Sequence, residues 1–180
     1  NLKALGFFRS VPSEIKQGSD INSKIIKIEV EEKPTGEISA GAGVGTSGTV
    51  IGFSVKENNF LGRGIQLATN LELTDESIRG KFGVSNPKFK GSDQSVYANI
   101  QSSETDRLAN FGYKTTKTGF TLGTRFEYFE DVFLSPSITT YYESLKTDSS
   151  ASAILEKQIG TYFDTDINYL IDYDRRNQKF

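Results

Sequence analysis

From Gly36 onward the chain is a succession of alternating apolar and polar residues, in runs that reach 10 to 14 residues, with no helical period among them. Eight such runs are separated by turn signals, at 37–45, 48–57, 64–74, 77–86, 94–103, 114–127, 132–145 and 159–173. In the last, Thr161, Phe163, Thr165, Ile167, Tyr169, Ile171 and Tyr173 share one face, and Tyr162, Asp164, Asp166, Asn168, Leu170 and Asp172 share the other. Globular strands usually have about 5 or 6 residues. A tilted strand that crosses a bilayer needs roughly 9 to 11. Run length is therefore the strongest constraint on what this chain can build.

A soluble antiparallel sheet also alternates, burying one face and wetting the other. Two further features favour the membrane. The apolar faces mix Leu, Ile and Val with Thr and are bracketed by aromatics, as lipid-facing surfaces with interfacial girdles are. The connectors divide into short ones ("NNFLGRG", "EYFED") and long polar ones ("SETDRLANFGYK", "KTDSSASAILEKQ"), although those after the first and third runs are also short. The expected fold is mainly β, an antiparallel transmembrane β-barrel. Its lipid-facing residues are expected to include Ile65, Leu67, Leu71, Phe120, Leu122, Phe163, Ile167, Tyr169 and Ile171.

Composition removes many functions. The chain has no Cys and no His, which excludes thiol chemistry, triads that need either residue and the usual zinc sites. With 21 basic and 23 acidic residues it has no basic footprint for nucleic acid. No run approaches 18 apolar residues, so no transmembrane helix is expected. Neither an initiator Met nor a signal peptide is present, and the expectation is a fragment of a longer or processed protein.

Residues 1–35 differ from the rest. "NLKALGFF" reads as the last turn of a helix, stopped at Gly6, running into a strand from Phe7 to Val11. "SKIIKIEVEEK" alternates with Ile26, Ile28 and Val30 on one face, the pattern of a half-buried strand in a small α+β unit. "KPTG" follows as a turn or linker, placing a boundary between 1–35 and 36–180.

The first long run is anomalous. Gly41, Gly43 and Gly45 fall on one of its faces, where glycine packs nothing and loses the most entropy on ordering. Ile38, Ala40, Ala42 and Val44 on the other face are apolar but small.

The ordered set "GFF…V", "VEEKPTG", "GAGVGTSG", "NNFLGRG", "NPKF" and "YDRRNQKF" resembles the BamA-type outer-membrane protein assembly factors, which join periplasmic POTRA domains to a surface-antigen barrel. The resemblance covers essentially the whole chain. It implies a sixteen-stranded barrel, of which 36–180 supply the first eight strands, preceded by the C-terminal part of the last POTRA domain at 1–35. It also implies an outer-membrane location with the N-terminal part periplasmic, and a function in assembling and inserting outer-membrane proteins without enzymatic chemistry or a cofactor. Unfolded outer-membrane protein clients, accessory lipoproteins of an assembly complex and membrane lipid are the implied partners. The first barrel strand would be the lateral gate that pairs with client strands, through Ile38, Ser39, Ala40, Gly41, Ala42, Gly43, Val44 and Gly45. A bare strand suits that role, because clients share a backbone but not side chains. The glycines could instead let the barrel bend or leave room inside it. The rival functions are a small passive eight-stranded or porin-like barrel, and a related TamA-like or two-partner-secretion transporter.

Other features have plainer readings. "GAGVGTSG" superficially resembles a phosphate loop but opens no helix. Asp164, Asp166 and Asp172 suit a water-filled lumen better than a metal site, "DRR" at 174–176 reads as a solvated turn, and Phe60 and Leu61 read as interfacial anchors.

Overall fold

The computed structural model describes residues 5–20, 22–45 and 48–175. The chain divides into two compact units between Thr35 and Gly36.

In the first unit, β1 (Phe8–Ser10) pairs with β4 (Glu31–Glu32), and β2 (Ser13–Gln17) pairs with β3 (Lys24–Ile28), both antiparallel. The expected helix end lies largely on residues 1–4, outside the described residues. The single strand expected through Val30 is interrupted after Ile28, where the Glu29 N–H donates to the Pro12 carbonyl rather than to a ladder partner. Half-burial of this strand is not observed: Ile26 is 64% exposed and Ile28 49%. The reason is that β3 has only β2 beside it, and no second layer packs on the pair among the described residues.

The second unit is one eight-stranded antiparallel sheet. Its strands are β5 (Gly36–Gly45), β6 (Gly48–Phe60), β7 (Ile65–Thr74), β8 (Ser77–Asn86), β9 (Ser95–Arg107), β10 (Tyr113–Phe129), β11 (Val132–Thr147) and β12 (Gly160–Tyr173). Spatial order follows sequence order, so each strand pairs with its chain neighbours in an up-and-down meander. Ten residues at about 3.3 Å each, tilted by roughly 40°, rise about 25 Å, the height of a barrel's apolar band.

The connectors are tighter than expected in one place. The polar stretch "SETDRLANFGYK" is mostly strand, because β9 runs on to Arg107 and β10 resumes at Tyr113. Its charges are held by pairing: Lys114 Nζ lies 2.7 Å from Glu104 and 3.3 Å from Asp106. The four-residue turn helix α1 (Leu108–Phe111) fills the remaining gap, and a second short helix, α2 (Ala153–Glu156), lies in the long connector before β12. In the turn after β6, Leu61, Gly62 and Gly64 all have φ between +56° and +69°, a conformation that glycine adopts without cost. The Asn59 side chain closes this turn by accepting the Gly64 N–H at 2.7 Å.

The molecule has almost no interior. Leu145 is the one buried apolar side chain among the described residues. The accessible surface is 13401 Å², against about 8,700 Å² for a compact soluble protein of this mass. A sheet this apolar on one side, with nothing packed against it, is built for a medium other than water.

Candidate functional site

Directly paired residues in a sheet point to the same side, so the register sorts every strand residue onto one of two faces. One row crosses the sheet as Ile38, Val55, Thr69, Phe82, Ile100, Phe120, Thr140 and Thr165. The next runs from Leu67 through Val84, Ala98, Leu122 and Ile138 to Ile167. Charges on this face occur only towards the strand ends, at Glu57, Glu104, Asp106, Lys114 and Lys146. Between them lies an uncharged band dominated by Leu, Ile, Val, Phe, Tyr, Ala and Thr, with Gly80, Ser102, Pro136 and Ser144 among them. All nine residues expected to face lipid lie on this side. Ile167 and Tyr169 are each 80% exposed, and Ile65 and Leu67 are half-buried.

The opposite face is polar and cross-braced. Arg79 pairs with Glu72 at 3.2 Å, directly across β7–β8, and Lys117 with Glu143 at 3.2 Å, directly across β10–β11. The Lys117 ammonium also sits 4.3 Å from the Tyr141 ring centroid. Arg125 reaches past β11 to donate to Asp172 on β12 at 2.8 Å, its guanidinium 4.6 Å from the Phe133 ring. That brace lies where the ladder is interrupted. The β10–β11 register stops at Gly123–Ser137 and resumes at Phe126–Leu134, skipping Pro136, which has no N–H to donate. Asp172 thus serves in an ion pair, and Asp164 and Asp166 lie opposite Tyr141 and Thr139. Of "DRR", Asp174 and Arg175 both reach Asp131, the first through its backbone N–H and the second by an ion pair at 3.4 Å, and Arg176 lies outside the described residues. In the connectors, the Lys88 ammonium holds the Asp93 carboxyl below the usual carboxylate range, and the Ser150 hydroxyl and N–H do the same for Asp148.

The eight residues expected to form a pairing edge, Ile38 through Gly45, all lie in β5. Among the described residues β5 pairs only with β6, β12 pairs only with β11, and the two do not pair with each other. Within the described residues the sheet begins at β5 and ends at β12. Ile38, Ala40, Ala42 and Val44 belong to the apolar face; Ser39, Gly41, Gly43 and Gly45 belong to the polar one. A Cβ placed on Gly41, Gly43 or Gly45 would meet nothing within 4 Å. Opposite Gly41 stands another glycine, Gly52, whose Cβ position is equally open. Gly41 and Gly52 lie on the floor of a trough of about 710 Å³ bordered by Asn70, Glu72, Arg79 and Lys81.

Three polar-face glycines elsewhere behave differently. A Cβ on Gly123 would strike the Tyr97 ring, one on Gly119 would come within 2.6 Å of the Tyr141 ring, and one on Gly83 would strike the Asn99 amide oxygen. In each case the intruder is the residue directly across the ladder. Neither these pairs nor Gly52 and the Arg125–Asp172 brace emerged from the sequence. Their partners lie on different strands, and only the register joins them.

Long antiparallel strands in meander order, with one uncharged apolar face and one polar face, define the wall of a transmembrane β-barrel. The chain belongs to the Omp85 superfamily, whose domain model matches residues 59–180. It is 32% identical over 102 residues to a Treponema pallidum (strain Nichols) protein named "Putative outer membrane protein assembly factor", a match that covers 53% of this chain and 12% of that protein. Its fold is similar to that of BamA from Haemophilus ducreyi lacking POTRA domains 1–3, with a TM-score of 0.78, 21% identity and coverage of 99% of this chain and 37% of that one. The chain thus spans a minor part of the length of each.

Proposed function

We propose that this chain is the N-terminal half of the barrel of an outer-membrane protein assembly factor, preceded at residues 1–35 by the end of a periplasmic POTRA domain. The apolar face meets acyl chains and the polar face lines a watery lumen in the bacterial outer membrane. Further strands continue the sheet from β12. β5 serves as the lateral gate, where the strands of unfolded outer-membrane clients add to a free edge. No bond is made or broken in the client. The protein lowers the cost of bringing unpaired backbone groups into lipid, which is several kcal/mol each.

One observation carries this reading: a ten-residue first strand whose polar face offers a neighbour main-chain groups and no side chains at three positions. Such an edge pairs with any backbone and releases it easily. A passive eight-stranded barrel would need β5 to pair with β12, and the open order of the sheet argues against it. Accessory lipoproteins are further partners on this reading.

The chain contributes no cysteine of its own, and any cysteine elsewhere in the full-length protein is first replaced by Ser. Ser39→Cys on β5 and Ser137→Cys on the interior strand β11 are placed in the full-length protein and challenged with a stalled client carrying one Cys in its terminal strand. A disulfide at 39 and not at 137 is expected. Equal capture at both, or none at 39, refutes the gate.

A further inference from the structure

The two rims of the apolar face are chemically unlike. On β11, Ser144 and Val132 each stand six residues from Ile138, one towards each end of the strand. At about 3.3 Å per residue and a tilt of roughly 40°, both lie about 15 Å from Ile138, where a hydrocarbon core of about 30 Å ends. The row through Val132 is Phe129–Val132–Tyr173, with both aromatics exposed. That is the interfacial girdle of a barrel. The row through Ser144, at the same depth, is Thr116–Ser144–Thr161, which presents three hydroxyls instead. One row further out, about 20 Å from Ile138 and within the headgroup layer, Lys114 and Lys146 stand directly across the ladder from each other.

Like charges directly opposite each other destabilise a sheet, so each of these lysines needs an anion. Lys114 has two, Glu104 and Asp106, both on β9 and so on its far side from β11. Lys146 is exposed, and among the described residues no carboxylate pairs with it. The nearest acid along the chain, Asp148, is occupied by the Ser150 hydroxyl and N–H. The missing anion therefore comes from outside the protein. On a lipid-facing surface at headgroup depth, the anion at hand is a lipid phosphate.

We propose that Lys146, with the Ser144 and Thr161 hydroxyls one row below it, binds an anionic phospholipid. The ammonium takes the phosphate. The two hydroxyls lie at the level of the glycerol esters and donate to their carbonyls. Tyr142 and Phe163, paired across β11–β12 and exposed a further row inward, flank the first acyl carbons. A zwitterionic lipid fits less well, because its own cation competes with Lys146 for the phosphate. The proposal rests on the reading of the apolar face as the one that meets acyl chains, and it does not involve β5.

The test titrates the full-length protein in non-ionic detergent with phosphatidylglycerol or phosphatidylcholine of the same acyl chains, and native mass spectrometry counts the lipid retained. Phosphatidylglycerol is expected to fill one saturable site that phosphatidylcholine fills poorly. Lys146→Gln is expected to weaken that site about fivefold, the upper range for one exposed ion pair, while Lys146→Arg keeps it. Lys81→Gln makes the same change of charge on the polar face and is expected to leave binding unaltered. Equal losses in Lys146→Gln and Lys81→Gln reduce the effect to net charge and overturn the site. Equal titrations with the two lipids, or full binding by Lys146→Gln, overturn it as well. A bimane label on Ile167→Cys, in cysteine-free full-length protein and nanodiscs of acyl-brominated lipid, keeps the face reading apart. A quenched label without a lipid preference overturns the rim site alone, and an unquenched label overturns both.

Discussion

Ile167 gives the sharpest test of which face meets lipid. It is the eighth of the fourteen residues of β12, so about 20–23 Å of strand lies on either side of it at roughly 3.3 Å per residue. A tilt of about 40° reduces this to roughly 15–18 Å along the membrane normal, close to half of a 30 Å hydrocarbon core. Ile167 therefore lies near the midplane, and its row neighbours Ile138 and Leu122 provide no polar group for a cation to reach. Ile167→Arg should cost about 2–4 kcal/mol. Asn168, the next residue, points to the polar face opposite Ser137, and Asn168→Arg should change stability by no more than about 0.5 kcal/mol. Thr161→Arg supplies the depth control. It lies on the apolar face beside the strand end, where the cost falls to about 0–1 kcal/mol. Reversible urea titration of the full-length protein in bilayers measures all three. Equal costs at 167 and 168 would refute the face assignment. Equal costs at 161 and 167 would refute the depth.

Three further outcomes are expected. Gly41→Val with Gly43→Val adds packing against Val50, about 0.2–1 kcal/mol per pair, so the barrel should remain folded while client assembly slows; a stable barrel with normal assembly counts against β5 as an exchanging strand. Gly123→Ala drives a methyl into the Tyr97 ring and should cost about 1–3 kcal/mol, whereas Gly41→Ala meets open space and should be neutral or gain about 0.4–1 kcal/mol; chemical unfolding of the two variants side by side decides it. Antiparallel alternation puts the turns near Phe60, Lys88 and Glu130 at one end of the sheet, and Asp106 and Ser150 at the other. An impermeant thiol reagent on intact cells should label Asp106→Cys and spare Asn59→Cys.

Period-2 alternation is a local signal, and everything that depends on it was legible. All eight long strands fall within a few residues of where the alternation puts them, and the nine apolar residues singled out share one face because side-chain direction along a strand follows from position alone. Strand ends were less legible. The stretch 104–107 reads as loop by polarity, yet it continues β9 because Glu104 and Asp106 are paired with Lys114 across the ladder. In the hairpin of the first unit, apolar alternation announces that a face can be buried, and the layer that would bury it is not among the described residues. What register alone creates was not legible at all. Tyr97 meets Gly123 and Arg125 meets Asp172 across gaps of 26 and 47 residues, and nothing near either residue announces its partner.

The braces also explain why β5 is free to be bare. Ion pairs on the polar face tie β7 to β8, β10 to β11 and β10 to β12, and ring-on-glycine contacts tie β9 and β11 to β10. Among the described residues no ion pair joins β5 to β6. The only charge on β5 is Glu37, which stands opposite Lys56, and the other inward positions across the hairpin are Ser39–Ser54, Gly41–Gly52, Gly43–Val50 and Gly45–Gly48. Side-chain bracing on that face is therefore concentrated from β7 onward and nearly absent in the first hairpin. Each exposed ion pair contributes modestly, about 0.2–1 kcal/mol. Their distribution matters more than their sum, because a lateral load on the sheet parts the least braced ladder first. A uniformly braced sheet would resist insertion of a new strand everywhere, and a uniformly bare one would fray at both edges. On the proposed reading of β5 as an exchanging strand, confining the weakness to one edge would let that edge change partners while the remaining strands keep their register in the membrane.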